Sequence, residues 1–586
     1  MNLGLIGNCS YNALIDDKGS VVWLCWPRFD SSSVFCSLLD DEKGGSFDIK
    51  PAEKMQGNKP WNSKQEYIQN TNVLRTEYSS KPAKFEIIDF APRYNQFDRS
   101  YKPTSLIRIV RPLEGQPVIN VRCNPTYDYG ITKPAISTGS NHIRFEGLPA
   151  QLRLTTNAPL TYITEETPFV LAKTLYFALT WGQPLEASLK QTCEMFLEKT
   201  VSYWRRWVKR CTLPKLFQEE VIRSALVLKL HQFEDTGAII AATTTSLPES
   251  AGSVRNWDYR YCWLRDAFFT LSAFRYLGQF EELEMFADYI RNIASLSTPE
   301  RLQPVYGIDL NSKLTEIELS HLKGYKGHQP VRIGNQAYTH IQNDIYGEVI
   351  LAVAPLFLDP RFVADEDILS VKLIENMLTH IENKIYEKDA GLWEFRNTLQ
   401  IHTFSLLMHW LGAREAVKIG EKLKLKSLSA KAARIMKKAA DFLENKCWNP
   451  RLSCYTQAPG TTELDASLLC MINDGYIKHN SKRINTHLHA IEKRLVRKDG
   501  LVYRYLHRDD FGKPHSTFTV CGFWYIEALC RTGNYAKARK LMEKYCSLAN
   551  NLGLLSEDID PKDLSLWGNF PQTYSHVGLI NCAFQF

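Results

Sequence analysis

The hydrophobic period of the chain changes once. Residues 1 to about 185 carry short alternating segments, among them Gly19-Ser20-Val21-Val22-Trp23-Leu24, Leu106-Ile107-Arg108-Ile109-Val110 and His142-Ile143-Arg144-Phe145, separated by Gly, Pro, Asn and Asp turns. A period of two turns one face of each segment toward a core, and many strands at this spacing predict a β-sandwich. From about Leu185 to Arg210 the period becomes helical, with Leu189, Cys193, Phe196, Leu197, Val201, Trp204 and Val208 on one stripe. A connecting helix packed on a neighbour is expected there.

Beyond it, helical periodicity predicts twelve segments, at about 216–234, 265–277, 280–295, 343–357, 366–386, 401–420, 429–447, 463–477, 481–496, 517–532, 534–549 and 575–586. Their connections alternate in length. Those at 278–279, 358–365, 421–428, 478–480 and 533 are short, whereas 235–264, 296–342, 387–400, 448–462, 497–516 and 550–574 are long. Helical hairpins joined in this way predict a closed double ring, an (α/α)6 barrel, with every long loop on one face. Binding groups collect on elaborated loops held by a rigid scaffold, so that face is where function is expected. The expected domains are a β-sandwich over 1–185, a helical linker over 186–212 and the barrel over 213–586.

Composition narrows the class. With 586 residues, 44% of them apolar and 12% aromatic, the chain supports large cores in more than one domain. A net charge of +7 from 71 basic and 64 acidic residues is too dilute for a nucleic-acid surface, and runs such as Trp204-Arg205-Arg206 or Lys437-Lys438 read as solvated helix faces. The first residues, Met1-Asn2-Leu3-Gly4-Leu5-Ile6-Gly7-Asn8, lack a basic region followed by a sustained apolar one, and no eighteen-residue apolar run occurs. The expectation is a soluble, cytoplasmic protein without a membrane or nucleic-acid partner. Its 14 cysteines are scattered without a Cys-x-x-Cys pair, which favours reduced, buried thiols over metal or redox use.

The densest chemistry lies at the end of the first long loop, in Arg255-Asn256-Trp257-Asp258-Tyr259-Arg260-Tyr261-Cys262-Trp263-Leu264-Arg265-Asp266-Ala267. Rings, guanidinium groups and carboxylates alternating at a helix start suit a ligand rich in hydroxyls and flat C–H faces, which describes a sugar. The alternative is a buried aromatic corner with internally satisfied ion pairs. The third long loop holds Gly391-Leu392-Trp393-Glu394-Phe395-Arg396, and the last holds Leu555-Ser556-Glu557-Asp558. Glu394, beside two aromatic residues, is expected to be partly desolvated and suited to donate a proton. Glu557, in a polar setting, is expected to stay ionised and activate water. Two carboxylates of unlike environment facing each other across a pocket are what glycoside hydrolysis requires. Tyr503-Arg504-Tyr505 reads as a sugar subsite or an exposed hairpin tip, and Gly324-Tyr325 with Pro330-Val331-Arg332-Ile333-Gly334-Asn335 as rim or scaffold.

These residues resemble family 15 of the glycoside hydrolases, the glucoamylase-type enzymes, and within it the bacterial and archaeal branch in which a β-supersandwich precedes the (α/α)6 barrel. The likeness runs from Gly4-Leu5-Ile6-Gly7-Asn8 and Trp26-Pro27-Arg28-Phe29-Asp30-Ser31 to Gly568-Asn569-Phe570-Pro571-Gln572-Thr573-Tyr574-Ser575-His576. It implies Glu394 as catalytic acid and Glu557 as catalytic base. It further implies Tyr259 as the ring on the terminal glucose with Trp263 behind it, Arg265 and Asp266 as the clamp on its hydroxyls, Trp393 beside the acid, and Arg504 as a further sugar-binding arginine. Inversion at the anomeric carbon by water is implied, with a carboxyl separation of about 6.5–9.5 Å and no metal or other cofactor.

The implied activity is an exo-acting release of β-glucose from the non-reducing ends of α-glucosides, on malto-oligosaccharides, another α-glucan or, in the alternative, trehalose. Phosphorolysis of a disaccharide and non-catalytic glucan binding are the remaining alternatives. One departure is His515-Ser516 before Thr517-Phe518, where many relatives have Glu-Gly, on the expected leaving-group side.

Overall fold

The computed structural model describes residues 1–52, 60–296, 301–362 and 368–586. The described residues of the N-terminal part hold two large antiparallel sheets and a small hairpin of Tyr94–Gln96 with Arg99–Tyr101. One runs in the order Leu3–Gly7, Asn12–Asp16, Ser20–Cys25, Ser46–Pro51, Val118–Asn124 and Phe169–Val170, with Ser33–Phe35 added on Ser20–Cys25. The other has eight strands, ordered Ala135–Thr138, His142–Glu146, Leu152–Thr156, Leu175–Trp181, Ser105–Gly115, Ala83–Phe90, Leu74–Ser79 and Asn62–Tyr67. Their apolar faces meet in one core containing Trp23, Phe47, Phe85 and Phe177. Arg108 crosses it. Fully buried, it donates to Asp89 Oδ1 on one sheet at 2.7 Å and to the Phe47 carbonyl on the other at 2.7 Å. An isolated charge at that depth would be prohibitive, so the pair also fixes how the sheets stack.

The helix Leu189–Lys209 follows and buries Cys193, Phe196 and Trp204, the stripe expected from the sequence. The remaining chain is mainly helical, with short two- and three-stranded sheets in its loops. Six helices close an inner ring: Leu264–Leu277 packs on Ile345–Leu358, which packs on Thr403–Lys422. The ring continues through the turn Ala466–Leu469 with Cys470–Asn473, then Thr519–Arg531 and Thr573–Ala583, which returns to the first. Gln218–His231, Phe280–Leu296, Ile368–Lys384, Lys426–Phe442, Arg483–Leu495 and Tyr535–Ser547 pack outside them. The architecture is an (α/α)6 barrel. The segment expected at 463–477 is shorter, because Asp465 stays extended and Gly475, at φ 77°, ends it.

Each inner helix follows a long loop, so all six present their N-terminal ends to the same face. That end carries unpaired N–H groups and a partial positive charge, and it favours carboxylates placed nearby. The sandwich braces the same face. Trp23 Nε1 donates to the Thr243 carbonyl at 3.0 Å, Asn12 Nδ2 to Thr243 Oγ1 at 3.0 Å and Arg28 to Asp309 at 3.0 Å. Of the 14 cysteines, all but Cys211 and Cys546 are buried. Among the described residues, no helix is long and apolar enough to cross a membrane.

Candidate active site

The long loops surround a pocket that opens at the loop face. Its walls include Tyr259, Trp263, Arg265, Asp266, Trp393, Glu394, Arg504 and Glu557. The fold thus gathers every candidate residue from loops up to about 300 positions apart.

Glu394 lies in the tight turn that follows Ala390. Gly391, at φ 64°, accepts the Glu394 N–H at 3.1 Å, and a Cβ there would lie 2.6 Å from the His402 ring, so glycine is required. Gln342 Nε2 holds the Gly391 carbonyl at 2.8 Å. Glu394 itself adopts φ 59°, and its Oε1 accepts from Trp263 Nε1 at 2.7 Å and Arg265 Nη2 at 3.3 Å. Its side chain is 25% exposed.

Glu557 is the more buried carboxyl, at 2% exposure. Its Oε1 accepts from the Tyr259 hydroxyl at 2.7 Å. Gly568 packs directly against it, since a Cβ at that position would lie 2.8 Å from the carboxylate. Burial, reinforced by the nearby charge of Glu249, pushes Glu557 up to about 8, against the opposing effects of the Tyr259 hydrogen bond and Arg504. Asp558 beside it is also buried and pushed well above the usual carboxylate range, and it accepts from Ser516 Oγ at 2.8 Å.

These environments are the reverse of those expected from the sequence. Glu394 is the open carboxyl and Glu557 the desolvated one. The aromatic neighbours of Glu394 turn away from it. Trp393 donates to Asp465 at 2.9 Å and packs on Tyr505 and Phe518, while Phe395 packs on His402 and Tyr505. Conversely, Ser556 spends its hydroxyl on the Asp558 carbonyl at 2.7 Å, and Glu557 is buried from solvent among the Tyr259 hydroxyl, Glu249 and Arg504.

Arg265 sits at the start of Leu264–Leu277, within 3.5 Å of Asp344, 3.3 Å of Glu394 and 3.8 Å of Asp266. Burial pushes Asp266 up to about 6, with Arg265 opposing. One turn beyond Asp344, Glu348 is fully buried, and burial with Asp344 beside it pushes it well above the usual carboxylate range. Tyr259 meets Trp263 edge to face at 5.4 Å. Arg504 is gripped by both oxygens of Glu249, at 3.0 and 2.6 Å.

Not every part of the sequence reading reaches the pocket. Arg260 and Asp258 form a buried bidentate pair at 2.9 and 2.6 Å, and Arg260 also holds the Ser31 carbonyl at 3.0 Å, so this second Arg-Asp pair joins the loop to the sandwich. Tyr503 bonds Arg497 at 3.2 Å, and Tyr505 is buried under Trp393, which leaves Arg504 as the one member of that triplet on the pocket wall. From the two rim segments only Asn335 lines it. Ser516 is one side chain removed, behind Asp558.

The structure adds Glu249, Asp344, Asp509, Asp510 and Phe511, which sequence reasoning missed. Glu249 was legible as the one glutamate in the first long loop. Asp344 and Glu348, one turn apart at a helix start, were legible as an acidic pair in an apolar helix.

Comparison with known proteins agrees with this geometry. The model of "Glycosyl hydrolases family 15" matches residues 216–584, and that of "Trehalase-like, N-terminal" matches residues 2–169. A trehalase of Thermoplasma volcanium is 31% identical over 99% of this chain and 92% of its own. A trehalase of Mycobacterium tuberculosis is 33% identical over 97% of this chain and 87% of its own. A bacterial glucoamylase solved in complex with acarbose shares the fold, with a TM-score of 0.68 at 14% identity, covering 99% of this chain and 92% of that one. The helical ring, the pocket at its loop face and the family match over most of the barrel together make this chain a glycoside hydrolase that belongs to family 15.

Proposed function

We propose that the enzyme is a trehalase that hydrolyses α,α-trehalose with inversion at one anomeric carbon. The observation that carries this is the full-length similarity to trehalases through both the sandwich and the barrel, with 97% or more of this chain aligned. The glucoamylase-type reading expected from the sequence rests on the fold, which is shared by both activities.

The deep end of the pocket, formed by the inner-helix residues Arg265, Asp266 and Tyr574, takes the glucose ring that is attacked. Tyr259 and Trp263 offer it faces and edges of rings. Glu394, on the more open side, faces the oxygen that leaves with the second ring and protonates it. Glu557, enclosed with the Tyr259 hydroxyl, takes a proton from water as the water attacks the anomeric carbon from the opposite face. The glycosidic bond breaks, the new bond forms to water oxygen, and the products are one β-glucose and one α-glucose.

A second assignment exchanges the two roles, and the burial of Glu557 favours it, because a carboxyl pushed up to about 8 holds a proton at neutral pH. The activity itself is tested by following trehalose, maltose and maltotetraose by proton NMR. Equal initial amounts of β- and α-glucose from trehalose are the expected result. Turnover of maltose without any of trehalose would restore the glucoamylase-type reading, and glucose 1-phosphate appearing only when phosphate is present would replace hydrolysis by phosphorolysis.

A further inference from the structure

We propose that the turn at residues 509–512 is a strap across the leaving-group end of the pocket and limits the substrate to two sugar rings; the inference rests on the glycosidase reading of this pocket but not on the linkage cleaved. Asp509 and Gly512 pair through two backbone hydrogen bonds of 3.1 Å, which places Asp510 and Phe511 at the tip of a two-residue hairpin. Gly512 has φ 92°, a conformation that favours glycine.

The tip is pinned to two other long loops. From the first, Arg255 donates to Asp509 and, at 3.0 Å, to the Gly512 carbonyl. From the third, the backbone N–H groups of Arg396 and Asn397 both donate to the Asp510 carboxylate, the latter at 3.2 Å. The Phe511 ring meets Trp257 edge to face at 5.1 Å, and the guanidinium groups of Arg255 and Arg396 each lie 5.4 Å from its centre. Such contacts hold a loop in one conformation, in contrast to an open rim.

Position gives the strap its role. Arg265 and Asp266 stand on an inner helix at the floor, whereas Asp510, Phe511, Trp257 and Arg396 come from loops and line the same pocket. A glucan held with its terminal ring at the floor must pass its third and later rings out through the mouth that this hairpin bridges. A disaccharide ends before that point. Its second ring instead meets aromatic surface from Trp257 and Phe511 and hydrogen-bonding groups from Arg396 and Asp510, the mixture that suits a hexose.

The experiment compares kcat/KM for trehalose, maltose, maltotriose and maltotetraose in the wild-type enzyme and in the double variant Asp510→Ala/Phe511→Gly. In the wild type, maltose is expected to exceed maltotetraose, which carries the same linkage, by about 100-fold or more as a substrate or, where neither is cleaved, as a competitive inhibitor of trehalose hydrolysis, the scale of discrimination that steric exclusion supports. In the variant, the ratio of maltotetraose to disaccharide should rise by at least about tenfold, with disaccharide KM raised. Efficient cleavage of maltotetraose by the wild type overturns the strap without recourse to any variant. So does a folded variant, verified by its thermal midpoint, in which all substrates lose equally. Cleavage of maltose but not trehalose, with maltotetraose still excluded, would refute the trehalase reading and leave the strap standing.

Discussion

The hydroxyl of Tyr259 donates to Glu557 Oε1 at 2.7 Å, joining the first long loop of the barrel to the last. A hydrogen bond to a carboxylate favours its charged form, so Tyr259 partly offsets the burial that keeps Glu557 neutral. Tyr259→Phe removes this one donor from an otherwise intact ring. Hydrogen bonds to charged groups contribute about 1.5–3 kcal/mol, so kcat should fall about 10- to 100-fold with little change in KM. The acid limb of the pH profile should move to higher pH. Steady-state kinetics on trehalose across pH check both.

A base must be ionised to act. In the base role proposed for it, Glu557 near 8 should make kcat/KM rise with pH through that region and fall on the acid side. Folding stability follows the opposite sign. The folded value lies above that of an unfolded glutamate, about 4.3, so the stability contributed by the neutral carboxyl is present below that value and lost as pH rises through about 8. Glu557→Gln should therefore have a higher thermal midpoint than the wild type at pH 9, and the gap should close toward pH 5. Calorimetry at the two pH values decides it.

The roles of the two glutamates separate on a substrate that needs no protonation. α-Glucosyl fluoride leaves as fluoride, so loss of the general acid is largely bypassed while loss of the base is not. Glu394→Gln should lower trehalose turnover about 10²–10⁴-fold and retain most fluoride hydrolysis, whereas Glu557→Gln should lose both. The reverse pattern would exchange the assignments.

Glu249 holds Arg504 through both carboxylate oxygens and is the first charged neighbour to raise Glu557. Glu249→Gln leaves Arg504 buried without its partner, which should cost about 3–5 kcal/mol of stability. It also removes the repulsion on Glu557 and frees Arg504 to attract it, so the acid limb should move to lower pH. Denaturant unfolding together with the pH profile distinguishes this from simple loss of folded protein.

Hydrophobic period was sufficient to read the layers of this fold. Alternation at period two requires one buried face, and helical stripes interrupted by alternately short and long loops leave a double ring as the way to bury them all. The strands at Ser20–Cys25, Ser105–Gly115 and His142–Glu146 and the twelve helical segments follow from that constraint. Glu394, Glu557 and the Tyr259–Asp266 stretch were legible for a different reason, since chemistry-bearing residues stood on loops that the barrel must place together.

The environment of those residues was not legible, because burial is set by contacts that sequence adjacency does not report. Trp393 and Phe395 flank Glu394 in the chain yet pack away from it, while Glu557 is enclosed by Tyr259 and Gly568 and raised by Glu249. The same holds for Arg260, whose partner chain segment lies at Ser31, and for the hairpin at Asp510 and Phe511, whose anchors lie in loops more than a hundred residues away. The sequence by itself determined the layers, the face on which the site lies and the residue types gathered there. Only the tertiary structure decided which carboxyl is desolvated, which arginines line the pocket and which groups enclose it, because solvation and pairing depend on neighbours brought together in space.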